Sequence, residues 1–268
     1  ALSNWDAGMD MSIYGKLGNL TMTKEGINVL MTNLTGKVPP ILQRLDYIRF
    51  NGEAAGYLHD LTLTGLFHTG AGMVKTDVMM SIDEQSMSRT YSGSVASADL
   101  DLGKLLNQEK KFGKVDFNVE LKGFNYKNRY PESYIKGIIS SFEYSQYQYE
   151  NIMLDGVYKD GGFNGRLSMD DANGSVQIDG NFNVAKTIPD FNLKASVKNL
   201  RPHDLHLSDK YENASISLGL TADFTGKSID DMNGRISLDS LQLNAPDEGG
   251  CFLDNLTITA GQVSGEKE

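Results

Sequence analysis

Hydrophobic and polar residues alternate with a period of two along most of the chain. Val115, Phe117, Val119 and Leu121 are interleaved with Asp116, Asn118, Glu120 and Lys122. Successive side chains of an extended backbone point to opposite faces, so this spacing predicts a strand with one apolar and one polar side. The pattern returns in Val176, Ile178, Phe182 and Val184, in Phe191, Leu193, Ala195 and Val197, and in Ile216, Leu218, Leu220, Ala222 and Phe224. Shorter versions stand at Ile236 and Leu238 and at Leu256, Ile258 and Ala260. Between the runs come Asp160-Gly161, Asn173-Gly174, Asn233-Gly234 and Gly249-Gly250, dipeptides that tolerate positive φ and so predict tight turns. Helical signals are confined to short connectors at Ile41 to Leu45, Leu102 to Asn107, after Pro131, and at Pro202 to Leu205. The pattern therefore predicts an all-β, antiparallel-rich fold with a few short connecting helices.

The chain also resembles itself at long range. The stretch from Asp60 to Gly70, centred on Thr64-Gly65-Leu66-Phe67, matches the stretch from Asn151 to Gly161, centred on Asp155-Gly156-Val157-Tyr158. Asn255 to Ala260 echoes both, and Phe117 to Gly123 aligns with Leu220 to Gly226. Repetition of this kind points to stacked supersecondary units. Three imperfect units, at about residues 20–106, 107–200 and 201–265, fit the spacing.

Composition narrows the range of partners. The 268 residues carry 25 Lys+Arg against 35 Asp+Glu, a formal net charge of −10. Such a chain lacks the basic field that gathers phosphate backbones or anionic lipid headgroups, so nucleic acid is not expected as a partner. With 40% apolar and 22% charged residues the chain is expected to fold. A single cysteine, Cys251, excludes an internal disulfide. No run of about 18 apolar residues is present, and Ala1 does not open a signal peptide. The expectation is a fragment of a longer protein, with any targeting or anchoring segment outside it.

Catalytic signatures are missing: there is no G-x-S-x-G elbow, H-E-x-x-H, P-loop or G-x-G-x-x-G after a strand. Of the four histidines, His203 and His206 stand near Asp204 and Asp209, a set that offers a divalent metal too few ligands and reads more simply as a solvated turn. Asp170-Asp171-Ala172-Asn173-Gly174 and Asp230-Asp231-Met232-Asn233-Gly234 begin like calcium loops but lack the closing bidentate glutamate. Hairpin turns account for both. Phe142, Tyr144, Tyr147 and Tyr149 fit ordinary strand aromatics better than a sugar-stacking platform. The expectation is a protein that is not an enzyme, with no cofactor and no metal.

Several phrases carry a family resemblance. They are Tyr47 to Leu58 leading into the Gly65 repeat, Tyr91-Ser92-Gly93 leading into Asp99 to Leu106, Leu200-Arg201-Pro202, Lys210-Tyr211-Glu212, and Ala222-Asp223-Phe224-Thr225-Gly226 running on to Asn233-Gly234. In this order, over roughly residues 40–260, the chain resembles the TamB-like translocation and assembly module proteins of the AsmA-like superfamily, in the form found in Bacteroides and relatives. The resemblance implies a periplasmic, β-rich body of a protein anchored in the inner membrane and reaching toward the outer membrane. It further implies an elongated, curled, taco-like sheet whose apolar groove carries phospholipid acyl chains, and an outer-membrane assembly barrel protein as a partner. No catalytic residues come with it.

An exposed acyl chain costs about 0.8 kcal/mol per methylene in water, on the order of 13 kcal/mol for sixteen carbons, so a carrier must hide the tail. The apolar sides of the alternating strands supply candidate groove residues: Phe117, Val119, Leu121, Val176, Ile178, Phe182, Phe191, Leu193, Val197, Leu218, Leu220 and Phe224. The same residues would serve equally as the dry core of a closed sandwich, and alternation does not separate the two. Alternative functions are a scaffold for outer-membrane or secreted protein assembly by strand augmentation and a closed β-sandwich binding module.

Overall fold

A computed structural model of the chain describes residues 2–3, 12–35, 37–57, 59–83, 85–86, 88–125, 132–210, 212–227, 231–246, 249–263 and 266–267. Leu58, Pro131, Tyr211 and Asp230, each part of a sequence phrase quoted above, lie outside the described residues. The fold is all-β, as the alternation predicts. The first strands are β1 (Leu2–Ser3), β2 (Ser12–Thr23), β3 (Tyr47–Tyr57), β4 (Asp60–Thr69), β5 (Gly72–Ile82), β6 (Arg89–Ala98), β7 (Leu100–Asp101) and β8 (Phe112–Asn125). They are followed by β9 (Glu132–Tyr144), β10 (Tyr147–Lys159), β11 (Gly162–Asp171), β12 (Gly174–Asn183), β13 (Asp190–Leu200), β14 (Ser215–Thr225), β15 (Asn233–Ala245) and β16 (Gly249–Ala260). Strand order follows chain order from β1 to β16, with β7 alone set aside against β8, and the path does not close into a barrel. By packing, the chain divides into two compact units. One comprises Ala1–Arg129 and Gly137–Gln148, the other Tyr130–Lys136 and Tyr149–Glu268.

Several turns follow the expected chemistry. Asp160 and Gly161 take φ of 50° and 79°, both positive as a type I′ hairpin demands. Ser145 and Gln146 do the same at 50° and 65° without any glycine to announce them. In the turn after Asp170, the Asp171 carboxylate accepts from the Asn173 N–H at 2.9 Å, a side-chain-closed turn and not a calcium loop. Four expectations need correction. Asn233-Gly234 and Gly249-Gly250 begin β15 and β16, where they are already paired with Thr225 and Phe224 and with Ala245 and Asn244. Val184 lies just past the end of β12 and is 61% exposed. The residues after Pro131 form β9 and not a helical turn.

Of the other helical signals, Ile41 to Leu45 contains a 3-10 turn at Leu42–Arg44, and Leu102 to Asn107 contains the helix Leu102–Leu106. This short helix is capped by the Asp101 carboxylate, which accepts from the Lys104 N–H at 2.8 Å, and it ends on Asn107 at φ 56°. A twelve-residue helix, α1 (Lys24–Thr35), was not legible in the sequence. The Thr23 hydroxyl accepts from the Gly26 N–H at 3.4 Å at its start, and its own backbone together with Thr23 holds the Glu25 carboxyl below the usual carboxylate range. So short a helix is marginal alone. It persists because Ile27 is 2% exposed within a core that includes Leu45, Ile48, Ala71, Leu100, Leu105 and Val115.

That core occupies one rim of the first unit, where β3, β5 and β8 begin and β4 and β6 end. Lys104 ties the rim together through Asp46 at 3.1 Å and the Gly70 carbonyl at 3.2 Å, and the Arg44 guanidinium donates to the Leu105 carbonyl. The second unit has a smaller counterpart. There the segment after Pro202 turns back so that Leu205 is fully buried, and the buried Tyr149 hydroxyl donates to the Leu205 carbonyl at 2.7 Å. Among the described residues, the largest side chains buried to under 2% exposure are Ile27 and Leu205. Neither belongs to a strand.

Candidate functional site: the apolar face of the sheet

Residues paired across an antiparallel ladder share a face, so the register converts the alternation into rows of side chains. In the second unit Leu154, Leu167, Ile178, Ala195, Leu220, Leu238 and Leu256 form one unbroken row over the seven strands β10 to β16. Beside it on one flank run Ile152, Met169, Val176, Val197 and Leu218. On the other flank lie Gly156, Gly165, Gly180, Leu193, Ala222, Ile236 and Ile258. A fourth row is aromatic: Tyr158, Phe163, Phe182, Phe191 and Phe224. Its rings touch, with centroids 5.8 Å apart for Phe163 and Phe182 and 4.7 Å for Phe191 and Phe224.

The first unit repeats the plan. Gly52, Gly65, Thr76, Val95 and Val119 form one row, and Ala54, Leu63, Val78, Gly93 and Leu121 form the next. The two sequence phrases that match each other thus share a role: each places a glycine opposite a glycine of the neighbouring strand, Gly65 on Gly52 and Gly156 on Gly165. An aromatic ring covers the bare backbone in both. A Cβ at Gly65 would lie 2.6 Å from the Phe50 ring, and one at Gly156 would lie 2.5 Å from the Phe163 ring.

The opposite face is polar and ion-paired. Asp155, Arg166, Asp179 and Lys194 oppose one another on successive strands with alternating charge. Arg166 Nε donates to Asp179 Oδ1 at 2.6 Å, and Lys136 Nζ stands 3.3 Å from Asp155 Oδ2. The Tyr134 hydroxyl, donating to Asp155 at 2.8 Å, and then Lys136 hold the Asp155 carboxyl below its ordinary range. Gln177 and Arg166 do the same for Asp179.

All twelve candidate groove residues fall on strands, and all twelve are half-buried. None reaches the burial of a closed core. Phe117 differs from the rest, since it packs against the rim core of the first unit. Leu256 and Ile258, in the same rows, are 40% and 39% exposed. The rows missed by the sequence reading are those of β10 and β11 and most of the first unit. Phe163, Gly165, Leu167 and Met169 do alternate, but the glycine within the run weakens the signal.

Other candidates come out differently. Phe142 and Tyr144 pack with Phe112, at centroid distances of 6.1 Å and 5.4 Å, and present no exposed platform. His203 Nδ1 lies 3.8 Å from Asp204 Oδ1, and among the described residues no three His, Cys, Asp or Glu side chains gather in a way that could hold a metal ion. A polar cleft of about 790 Å³ in the second unit is lined by Asp170, Lys198, Arg201, Asp204 and Asn244 among others, and none of the twelve candidates reaches it. No helix among the described residues is long and apolar enough to cross a membrane. Compared with known proteins, the chain matches no family model, no curated protein and no solved structure.

Proposed function

We propose that the chain is a periplasmic, β-rich segment of an inner-to-outer membrane bridge whose apolar sheet face shields phospholipid acyl chains. The observation that carries this reading is the set of continuous apolar rows whose large side chains are half-buried or exposed, with full burial in the rows limited to small residues such as Ala54 and Ala222. Seven strands in a ladder extend about 29 Å, and the tails of one bilayer leaflet span about 15 Å. A tail laid across the strands therefore finds apolar contact along its whole length. Shielding is passive and needs no reaction. In this reading the full-length protein is anchored in the inner membrane, and an outer-membrane assembly barrel protein receives its far end.

Lipid extraction and mass spectrometry on protein purified without detergent test the proposal. Co-purifying phospholipid is expected, together with acyl-chain photocrosslinks from Phe182, Leu193 and Val197 but not from Lys194 on the polar face. A lipid-free protein that cannot be loaded from vesicles, or equal labelling from both faces, would overturn it.

A further inference from the structure

The polar face of the second unit holds a cleft of about 790 Å³ at one end of β11 to β15. Asp170, Ser175 and Lys198 oppose one another there on β11, β12 and β13, in the same phase as Arg166, Asp179 and Lys194, so they share the face turned away from the leucine row. Consecutive strand residues ordinarily point to opposite faces, yet Lys198 and Asn199 both line the cleft. A bulge makes this possible: the register of β13 on β14 slips between Val197 and Leu200, and Asn199 takes φ 47°. The Asn199 N–H donates to the Ser217 hydroxyl at 2.9 Å, which fixes the irregularity.

The chain beyond β13 supplies a wall. The Arg201 N–H donates to the Asn173 carbonyl at 2.9 Å, the Leu205 N–H donates to the Arg201 carbonyl at 3.1 Å, and Leu205 itself is fully buried. This anchored turn presents the Arg201 guanidinium and the Asp204 carboxylate, only loosely paired at 3.6 Å, to the cleft. Lys198 and Asp170 are both exposed, and among the described residues neither side chain has an ion pair or hydrogen bond. Ser175, Asn199 and Asn244 add hydroxyl and amide groups, and the described lining residues include no aromatic ring and no Leu, Ile, Val or Met. A volume inside the roughly 300–1,000 Å³ usual for small-molecule sites is thus lined for a ligand with little apolar surface.

We propose that this cleft binds an acidic sugar, a hydroxyl-rich ring bearing one carboxylate or phosphate. Lys198 and Arg201 supply charge-assisted donors for the anionic group, Lys198 without first breaking an ion pair. Sugar hydroxyls donate as well as accept, and they match the Asp170 and Asp204 carboxylates, which only accept, together with the amides, which do both. Asp171, a third carboxylate of the lining, is already engaged by the Glu150 and Asn173 N–H groups at 3.1 Å and 2.9 Å. The carboxylates offset the two cations, so the cleft offers no net positive field for a polyanion. A zwitterion such as glycine would satisfy the charges but leave the hydroxyl and amide groups to water. The cleft and the apolar rows lie on opposite faces, so this inference does not depend on what the apolar face holds.

Isothermal titration calorimetry of the full chain with glucuronate, glucose-6-phosphate, glucose and glycine tests the proposal. Saturable binding of glucuronate, glucose-6-phosphate or both is expected, and the tighter of the two identifies the anion as carboxylate or phosphate. Glucose and glycine should each bind at least about tenfold more weakly, for want of the anion or of the hydroxyls. Lys198→Gln should weaken binding of the acid at least about tenfold, while Lys194→Gln, on the same face outside the lining, should leave it unchanged. Both lysines are exposed, so circular dichroism should show both variants folded like the parent. No saturable binding of either acid, glucose or glycine binding as tightly, or an equal loss in the two lysine variants would overturn the proposal. Should Lys198→Gln disturb the fold, hydrogen exchange on the parent decides: protection gained on adding the acid is expected at residues 170–175 and 198–204, and protection confined to other residues would overturn the proposal.

Discussion

Leu193→Asp separates an open apolar face from a sealed core. Leu193 stands in the middle of the second unit, paired with Gly180 on one side and Ala222 on the other, and is half-buried. Full burial of a leucine side chain contributes about 1.5–3 kcal/mol, and Leu193 keeps only a minor part of its surface exposed, so about 1–2 kcal/mol is at stake. On an open face the new carboxylate remains hydrated and adds little, for a total of about 1–2 kcal/mol. Under a second apolar layer the same carboxylate would be unpaired in a dry interior, at a cost of roughly 3–5 kcal/mol or more. The thermal midpoint moves by about 2–4 °C per kcal/mol for a domain of this size range. A folded variant with its midpoint lowered by roughly 2–8 °C is therefore expected, read by circular dichroism with a urea titration as a second measure. Leu205→Asp, at a fully buried position, supplies the comparison and should unfold its unit. If Leu193→Asp were as damaging as Leu205→Asp, the reasoning from half-burial to an open face would be refuted.

Two further outcomes follow from the same geometry. Gly65→Ala should destabilise by about 1–3 kcal/mol in urea unfolding, because its Cβ would lie 2.6 Å from the Asn51 carbonyl and 2.8 Å from the Gly52 Cα. Gly219→Ala, whose nearest neighbour would be at 3.4 Å, should stay within about 0.5 kcal/mol of the parent. On the polar face, Asp155 titrates below its ordinary range when folded, so the unfolded chain takes up the proton first as pH falls. Its contribution is thus complete above the ordinary carboxylate range and is lost as pH drops through the folded value. The stability difference between the parent and Asp155→Asn, measured by urea unfolding, should be constant above about pH 5 and shrink below about pH 4. A difference that grew toward acid would contradict the assignment.

How much of this was readable in the sequence depends on what each element rests on. The runs Val115 to Leu121, Phe191 to Val197 and Ile216 to Phe224 are strands because alternation needs only local chemistry, and Asp160-Gly161 is a type I′ turn for the same reason. Helix α1 rests on Ile27 entering a core assembled from Leu45, Leu100 and Val115, residues far apart in sequence, so no local pattern revealed it. Asn233-Gly234 has the composition of a turn, yet β14 already pairs with both residues, so the connection lies upstream of them. Ser145-Gln146 shows the converse, a type I′ turn imposed by the flanking strands on residues that do not favour it. The candidate face itself was half legible. The residues in β12, β13 and β14 were found from alternation alone, whereas their partners in β10 and β11 were masked by Gly156 and Gly165.

Those glycines bear on what the face is for. A sandwich core is completed by side chains from an opposing sheet, and large residues in every row would serve it. Here Gly156, Gly165 and Gly180 stand in succession and lower the face between a leucine row and a phenylalanine row. The Phe163 ring leans over Gly156, and Leu193 approaches Gly180 so closely that a Cβ there would be 2.8 Å from its own. Relief is thereby spread along the ladder direction, across strands, and not along any one of them. With the Phe163 ring seated over the buried Gly156, the low stretch lies at Gly165 and Gly180, and a flexible hydrocarbon tail follows such relief at little cost, since its contacts are non-directional dispersion and burial. Rigid side chains from a second layer would need matching knobs at each leucine and gap, in rotamers set by a different backbone. The low stretch at Gly165 and Gly180 thus suits an occupant without fixed shape, a physical argument for the proposed acyl-chain reading over a closed sandwich.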